Sequence, residues 1–244
     1  MSNSPKSPHP VLSRFYTHRE EREEFVSGLF DETASHYDRI NALFSLGTGG
    51  RYRRQMLHKA GLRAGQNVLD VAVGTGLVAR EAMAIVGAEK VTGLDMSFGM
   101  LQQCRHSLPI SLVQGNAMSL PFADGSIDFL SMGYALRHVA DLQQTFASYH
   151  RVLKPGGRVL ILEISRAEHK IVQKLLQFYL GRVVPFLSGV AASRASRRLM
   201  DYYWDTIDHC VSYQEIMAAM EAAGFQDVRC DVALGIFRAY MGRV

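Results

Sequence analysis

Two carboxylates and a turn built of small residues carry the first chemical signal in this chain. Asp70 opens the run Asp70-Val71-Ala72-Val73-Gly74-Thr75-Gly76, and Asp95 closes Gly93-Leu94-Asp95 nineteen positions after Gly76. Gly74 and Gly76 permit a tight turn and a close approach of backbone to ligand. An acidic residue at the position of Asp95 can accept both hydroxyls of a ribose. Such a G-x-G turn also serves plain strand–helix packing; the paired Asp95 is what favours a nucleoside. A dinucleotide would want glycines spaced G-x-G-x-x-G, to seat a pyrophosphate on a helix N-terminus. Here Ala79 stands where the third glycine would fall, followed by Arg80. The form Asp-x-Ala-x-Gly-x-Gly suits a nucleoside that carries methionine, with Asp70 near its cationic amino group.

Further polar residues recur at the ends of later apolar runs. In Gln114-Gly115-Asn116-Ala117 the Asn116 side chain can meet an adenine amine while the Ala117 amide faces a ring nitrogen; the bland reading is an Asn turn. Arg137 and His138 follow the run that ends at Met132. A guanidinium stays protonated and cannot act as a free base. Arg137 can stabilise a developing anion or orient a water, or it can sit in an ion pair. His138 titrates near neutrality and is a candidate base, unless it merely packs beside Arg137. Tyr37 and Asn41 lie four apart, on one face of a helix. Tyr202, Tyr203 and Trp204 either wall an aromatic ligand or form ordinary core. The nine histidines show no ligand spacing of the H-x-x-x-H kind, so no metal is expected.

The elements that must hold these residues alternate. Asn67–Val73, Lys90–Leu94, Ile110–Val113, Ser126–Met132 and Arg158–Ile164 read as strands, separated by helical patterns at Leu77–Val86, Phe98–His106 and Val139–Leu153. Alternation of this kind predicts an α/β fold with a parallel sheet. A helix at Tyr213–Ala223 precedes two last runs, Asp227–Val232 and Ile236–Met241, too close for a parallel crossover and therefore an antiparallel hairpin. Residues 1–20 are expected to be a disordered arm and 21–244 a single domain. Within it, 21–62 form a helical lid, interrupted near Asp31 to Ser35 and at Gly47-Thr48-Gly49-Gly50. Residues 166–210 form a helical insert whose apolar side chains suit a greasy groove, a buried helix or a dimer surface.

Composition excludes several classes. Of 244 residues 48% are hydrophobic and 20% charged, with a formal charge of +4. The basic residues are scattered, which argues against nucleic acid and leaves a mild preference for an anionic membrane surface. Cys104, Cys210 and Cys230 form no CxxC pair and read as thiols of a reducing compartment. The longest apolar stretch, 171–192, is interrupted by Lys174, Gln177 and Arg182 and makes a poor spanning helix. A cytoplasmic protein, with contact at the inner face of a membrane, is expected.

With these elements in order, the chain resembles class I S-adenosylmethionine-dependent methyltransferases, and more narrowly the ubiquinone/menaquinone biosynthesis C-methyltransferases. The likeness runs from about Phe25 onward. It rests on Tyr37-Asp38-Arg39-Ile40-Asn41, Asp70 to Gly76, Asn116 to Phe122, Tyr134-Ala135-Leu136-Arg137-His138-Val139 and Arg151 to Gly157. It implies a Rossmann-like, seven-stranded, mostly parallel sheet with an antiparallel last strand. It implies S-adenosylmethionine held by Tyr37, Asp70, Ala72, Gly74, Gly76, Asp95, Met96, Asn116, Ala117 and Gly133. Arg137 and His138 are then the catalytic pair, and Asn41, Tyr134, Tyr202, Tyr203 and Trp204 face an isoprenoid quinol. Three positions depart from the family pattern: Val73 replaces a glycine, Leu77 an aspartate and His138 an asparagine. These departures keep a second reading open, a relative that methylates another small lipid or secondary metabolite at O, N or C. For a quinol the demand is clear. A phenol of pKa near 10 is only about 0.1% ionised at pH 7, so carbon methylation calls for a base or a cation beside the hydroxyl.

Overall fold

The computed structural model describes residues 7–44, 47–167, 170–179, 182 and 194–244. The strands β1 (Val68–Val71), β2 (Val91–Asp95), β3 (Ser111–Gln114), β4 (Ile127–Gly133), β5 (Leu153–Ile164), β6 (Gln226–Ala233) and β7 (Phe237–Arg243) form one sheet. Their order is β3-β2-β1-β4-β5-β7-β6. β1 pairs in parallel with β2 and β4, whereas β7 runs antiparallel to both β5 and β6. Every side chain of β1 is buried, because helices cover both faces of the sheet and leave no solvated side. The last two strands are the expected hairpin, with Val232 opposite Arg238 and Ala233 opposite Phe237.

Eight helices are described: α1 (Arg22–Phe44), α2 (Gly49–Lys59), α3 (Leu77–Val86), α4 (Phe98–Ser107), α5 (Leu142–Val152), α6 (Lys170–Phe178), α7 (Arg194–Asp208) and α8 (Tyr213–Ala222). One face of the sheet packs on α5 and α8 through Leu130, Ile161, Phe146, Tyr149 and Met220. The other packs on α2, α3 and α4 through Phe129, Leu160, Leu57, Ala79 and Leu101. A third cluster lies over the end of β5, where Ile164 meets Leu12, Tyr16, Leu29, Leu199, Tyr202 and Ile207.

Two expectations need correction. The break foreseen near Asp31 to Ser35 is absent, and α1 runs unbroken from Arg22 to Phe44. Its polar residues find partners without leaving the helix: Thr33 Oγ1 donates to the Leu29 carbonyl at 2.8 Å, and Asp31 accepts from α4. The described part of the N-terminal arm is packed rather than disordered. His9, Leu12 and Tyr16 are buried, and Val211 N donates to the Pro8 carbonyl at 2.8 Å. The cause is Arg22, wholly buried at the start of α1, whose guanidinium needs acceptors away from water. It takes Tyr16 Oη at 3.0 Å, Ser7 Oγ at 2.7 Å, the His9 carbonyl at 3.1 Å and the Val139 carbonyl at 2.8 Å. Residues 7–17 thus form a strap that ties α1 to the segment after β4.

Candidate active site

The carboxyl ends of β1, β2, β3 and β4 open into a cleft of about 810 Å³, its mouth included. Ala72, Asp95, Met96, Asn116, Ala117, Gly133 and Tyr134 line it from the sheet side. Glu23, Val26, Ser27 and Phe30 line it from α1, which is the part of the expected lid that the structure brings there. A hollow of about 360 Å³ adjoins it, sharing Ala72, Gly133 and Tyr134 and adding Arg53, Asp70, Thr75 and Leu77.

Backbone geometry builds the turn. Gly76 has φ +89°, and a Cβ there would lie 2.5 Å from Leu108 Cδ1 and 2.9 Å from Cys104 Sγ. Gly74 has φ +56°, and a Cβ on it would meet no protein atom within 4 Å. Ala72 and Tyr134, at the ends of β1 and β4, also adopt the left-handed region, at φ 53° and 61°. For residues with side chains that costs roughly 1–2 kcal/mol each, strain of the kind that collects at ligand sites. Val73, one of the departures, packs against Gly93 on β2, where a Cβ would approach its methyl groups to 2.9 Å.

Asp95 is gripped by two amides, Gly74 N on Oδ2 at 2.8 Å and Ser97 N on Oδ1 at 2.9 Å. Each oxygen keeps a lone pair for a hydroxyl. Burial pushes its pKa up to about 6 against these amides, with Asp31 adding to the rise. Asp70 is more extreme. It is 1% exposed, and its Oδ1 accepts from Ser131 Oγ at 2.7 Å. Its Oδ2 is buried with no hydrogen-bond partner, and burial raises its pKa to about 7. Across the same hollow stands Arg53, whose Nε is likewise buried and without an acceptor. An orphaned carboxyl oxygen and an orphaned guanidinium nitrogen, on two residues that line one hollow, match the ammonium and carboxylate of an amino acid. Together with Asp95 and Asn116, the donor set fits a nucleoside joined to methionine.

Other expected residues fall differently. Tyr37 and Asn41 lie in α1, and their side chains are outside the described residues. Gly74 and Gly76 line neither cavity; they shape the turn and, through Gly74 N, hold Asp95. Arg137 does not line the cleft. Its guanidinium is 2% exposed, pairs with Glu163 at 2.5 Å, donates to the Tyr134 carbonyl at 2.7 Å and lies 4.9 Å over the Tyr203 ring. Tyr202, Tyr203 and Trp204 do not line it either. They belong to the third core cluster, where Tyr202 and Tyr203 stack on His138 at 5.3 and 6.1 Å between ring centres. The α7 side chains therefore stand behind the wall rather than in it. His138 does line the cleft. Its Nδ1 meets Tyr202 Oη at 3.4 Å, and its Nε2 is buried with no partner. Burial, aided by the Arg137, His9 and Arg22 charges, holds its pKa well below 6.5.

Sequence reasoning missed Arg53, Glu23, Asp31 and Ser97. Arg53 shares a basic helix with Arg51 and Arg54, and nothing in the spacing singles it out. Glu23 lies in the charged run before Phe25, which reads as a solvated helix start. Only Ser97, just before a helical pattern, carried a readable signal, that of a helix N-cap, and it does accept from Met100 N.

The sheet order, the antiparallel seventh strand and a cleft at the carboxyl edge lined by Asp95 and Asn116 are those of a class I S-adenosylmethionine-dependent methyltransferase. A solved S-adenosylmethionine-dependent methyltransferase from Thermotoga maritima, described as a possible histamine N-methyltransferase, superposes with a TM-score of 0.64 at 20% identity. The alignment covers 88% of this chain and 98% of that one, a likeness of fold. Residues 17–242 match the ubiE/COQ5 methyltransferase family, and the chain belongs to that family. The demethylmenaquinone methyltransferase of Lactiplantibacillus plantarum is 35% identical, over 83% of this chain and 88% of that protein. The ubiquinone/menaquinone biosynthesis C-methyltransferase UbiE of Hahella chejuensis is also 35% identical, over 84% of each.

Proposed function

We propose that this methyltransferase places its methyl group on a ring carbon of an isoprenoid hydroquinone, as the names of its relatives suggest for them. When bound, S-adenosylmethionine supplies an already activated methyl group; the protein must present the acceptor and manage one phenolic proton. The observation that carries the reading is His138, which lines a mainly apolar cleft and whose buried Nε2 has no hydrogen-bond partner. The imidazole is neutral at pH 7 and so has a lone pair for a hydroxyl hydrogen; the burial that lowers its pKa makes it a weak base, so the proton moves only as the methyl is delivered. A proton leaving the hydroxyl for Nε2 raises electron density at the neighbouring ring carbon. Phe30, edge-on to His138 at 5.4 Å, and Val26 and Met132 of the cleft exclude water from that exchange.

Arg137 serves here as a positioning residue. Locked to Glu163 and the Tyr134 carbonyl, it holds the segment that carries His138 and adds positive potential that keeps the imidazole unprotonated. At the molecular surface, Leu175 and Phe178 of α6 are 63% and 58% exposed, three residues apart, beside exposed Lys174. That face suits an anionic lipid surface from which a prenylated acceptor would be drawn, in keeping with a place at the inner face of a membrane.

The test is product identification. Incubation with deuteromethyl-labelled S-adenosylmethionine and a panel of prenylated hydroquinones, simple phenols and lipid extracts should label a hydroquinone at carbon, read by mass spectrometry. Label appearing only on oxygen or nitrogen of another acceptor would favour the second reading. His138→Gln should lower kcat by about 10²-fold or more while leaving S-adenosylhomocysteine affinity unchanged; equal turnover would remove the base role.

A further inference from the structure

The side chain of Asn116 is already spent in a way that bears on the base it is expected to meet. Its Oδ1 accepts from Met118 N at 2.9 Å, and its Nδ2 donates to Glu23 Oε2 at 3.0 Å. The two contacts agree on the amide's orientation, since an N–H needs an oxygen and a carboxylate needs a donor. The group of Asn116 that faces α1 is therefore a donor. The exocyclic amine of adenine offers two N–H donors of its own and needs an acceptor. In the same cleft wall the first turn of α1 delivers a strong acceptor, Glu23, beside Asn116, Ala117 and Met118, while Asp95 lies toward the end of β2. With one oxygen held by Asn116, its other oxygen remains for the ligand.

We propose that Glu23 reads the adenine amine, so that the N-terminal helix, and not the sheet edge alone, sets the base specificity of the cofactor site. Asn116 then acts as the residue that orients the carboxylate, and α1 closes over the cleft with its acidic end on the base. This rests on placing the nucleoside between Asp95 and Asn116. An analogue with a carbonyl in place of the amine would put two oxygens face to face and leave the second Glu23 oxygen without a donor. Sites built around such a buried polar match reject the wrong group strongly.

Calorimetric dissociation constants for S-adenosylhomocysteine and S-inosylhomocysteine test this without reference to turnover. The native protein should prefer the adenosyl compound by about 100-fold or more. Glu23→Gln keeps an acceptor for Asn116 and adds an N–H for the 6-oxo group, so the preference should shrink to about fivefold or less. Asp31→Asn, which loosens α1 from α4 without touching the base, should weaken both ligands by the same factor. An unchanged preference in Glu23→Gln, with Asp95→Ala weakening both ligands, would overturn the role of Glu23 alone. Unchanged affinities in Asp95→Ala would overturn the placement of the nucleoside and this proposal with it.

Discussion

Asp70 shows how far a single residue can depart from what its type suggests. A carboxyl with a pKa near 7 in the fold and near 4 in the unfolded chain binds more protons when folded across that interval. Stability is therefore lost as pH rises from about 4 to about 7, by up to about 4 kcal/mol for a shift of this size. Asp70→Asn should remove that loss, giving a chemical-denaturation midpoint higher than the native protein's at pH 8 and nearly equal at pH 4. The same group should ionise when an ammonium arrives beside its orphaned Oδ2. Cofactor binding at pH 6.5 should release most of a proton in the native protein and clearly less in Asp70→Asn, where only the partly protonated Asp95 remains, measured as binding enthalpies in buffers of different ionisation heat. Equal enthalpies across buffers for the native protein would refute the assignment. The motif Asp70-x-Ala-x-Gly-x-Gly was readable in the chain; the orphaned oxygen and its Arg53 neighbour were not, because they come together only when α2 packs beside the turn.

Among the elements, the strap of residues 7–17 and α1 decide the shape of the cleft. The strap carries His9, 1% exposed, whose pKa falls to about 4 through burial and the neighbouring Arg22 charge. A histidine with a lowered folded pKa binds fewer protons than in the unfolded chain. Its contribution is present above about pH 6.5 and lost as pH falls toward 4, about 2 kcal/mol by pH 5. His9→Gln should flatten the acid limb of the stability profile between pH 7 and 5, read by thermal or urea melts. A limb of unchanged slope would show that the strap does not couple to pH. Composition hid this element, because Ser, Pro and charge spell disorder when read alone. What orders it is one distant fact, a buried guanidinium that must be satisfied. The latch of Asp31 is similar. Its Oδ1 accepts from Ser97 Oγ at 2.5 Å and Gly99 N at 2.8 Å, fastening α1 to the N-terminus of α4, 66 to 68 residues away in the chain.

At the scale of the whole molecule, its exposed apolar surface bears on where it works. Among the described residues no helix is long and apolar enough to cross a membrane. The β6–β7 turn exposes Leu234 at 83% and Val232 at 50%, and Ser165 N, just before the insert, donates to the Ile236 carbonyl at 2.8 Å. The turn therefore lies beside the start of the insert that carries Leu175 and Phe178. Flotation with anionic vesicles should carry the protein upward, and Leu175→Glu with Phe178→Glu should cut the bound fraction several-fold while S-adenosylhomocysteine affinity stays the same. Binding that survives both changes would assign the surface elsewhere. Residues 183–193, the most apolar part of the insert, lie outside the described residues.

The chain by itself determined the alternation of strands and helices, the closing hairpin, the glycine turn and the acidic residue that ends β2. These depend on neighbours in sequence, where periodicity, turn chemistry and strand-end position are local. Tertiary structure alone decided which polar residues meet. It turned Arg137 toward Glu163 and away from the cleft, set Tyr202 and Tyr203 behind His138, and brought Glu23 to Asn116 across 93 residues. Such pairings answer to the need of each buried charge for a partner, and that need is met in space rather than along the chain.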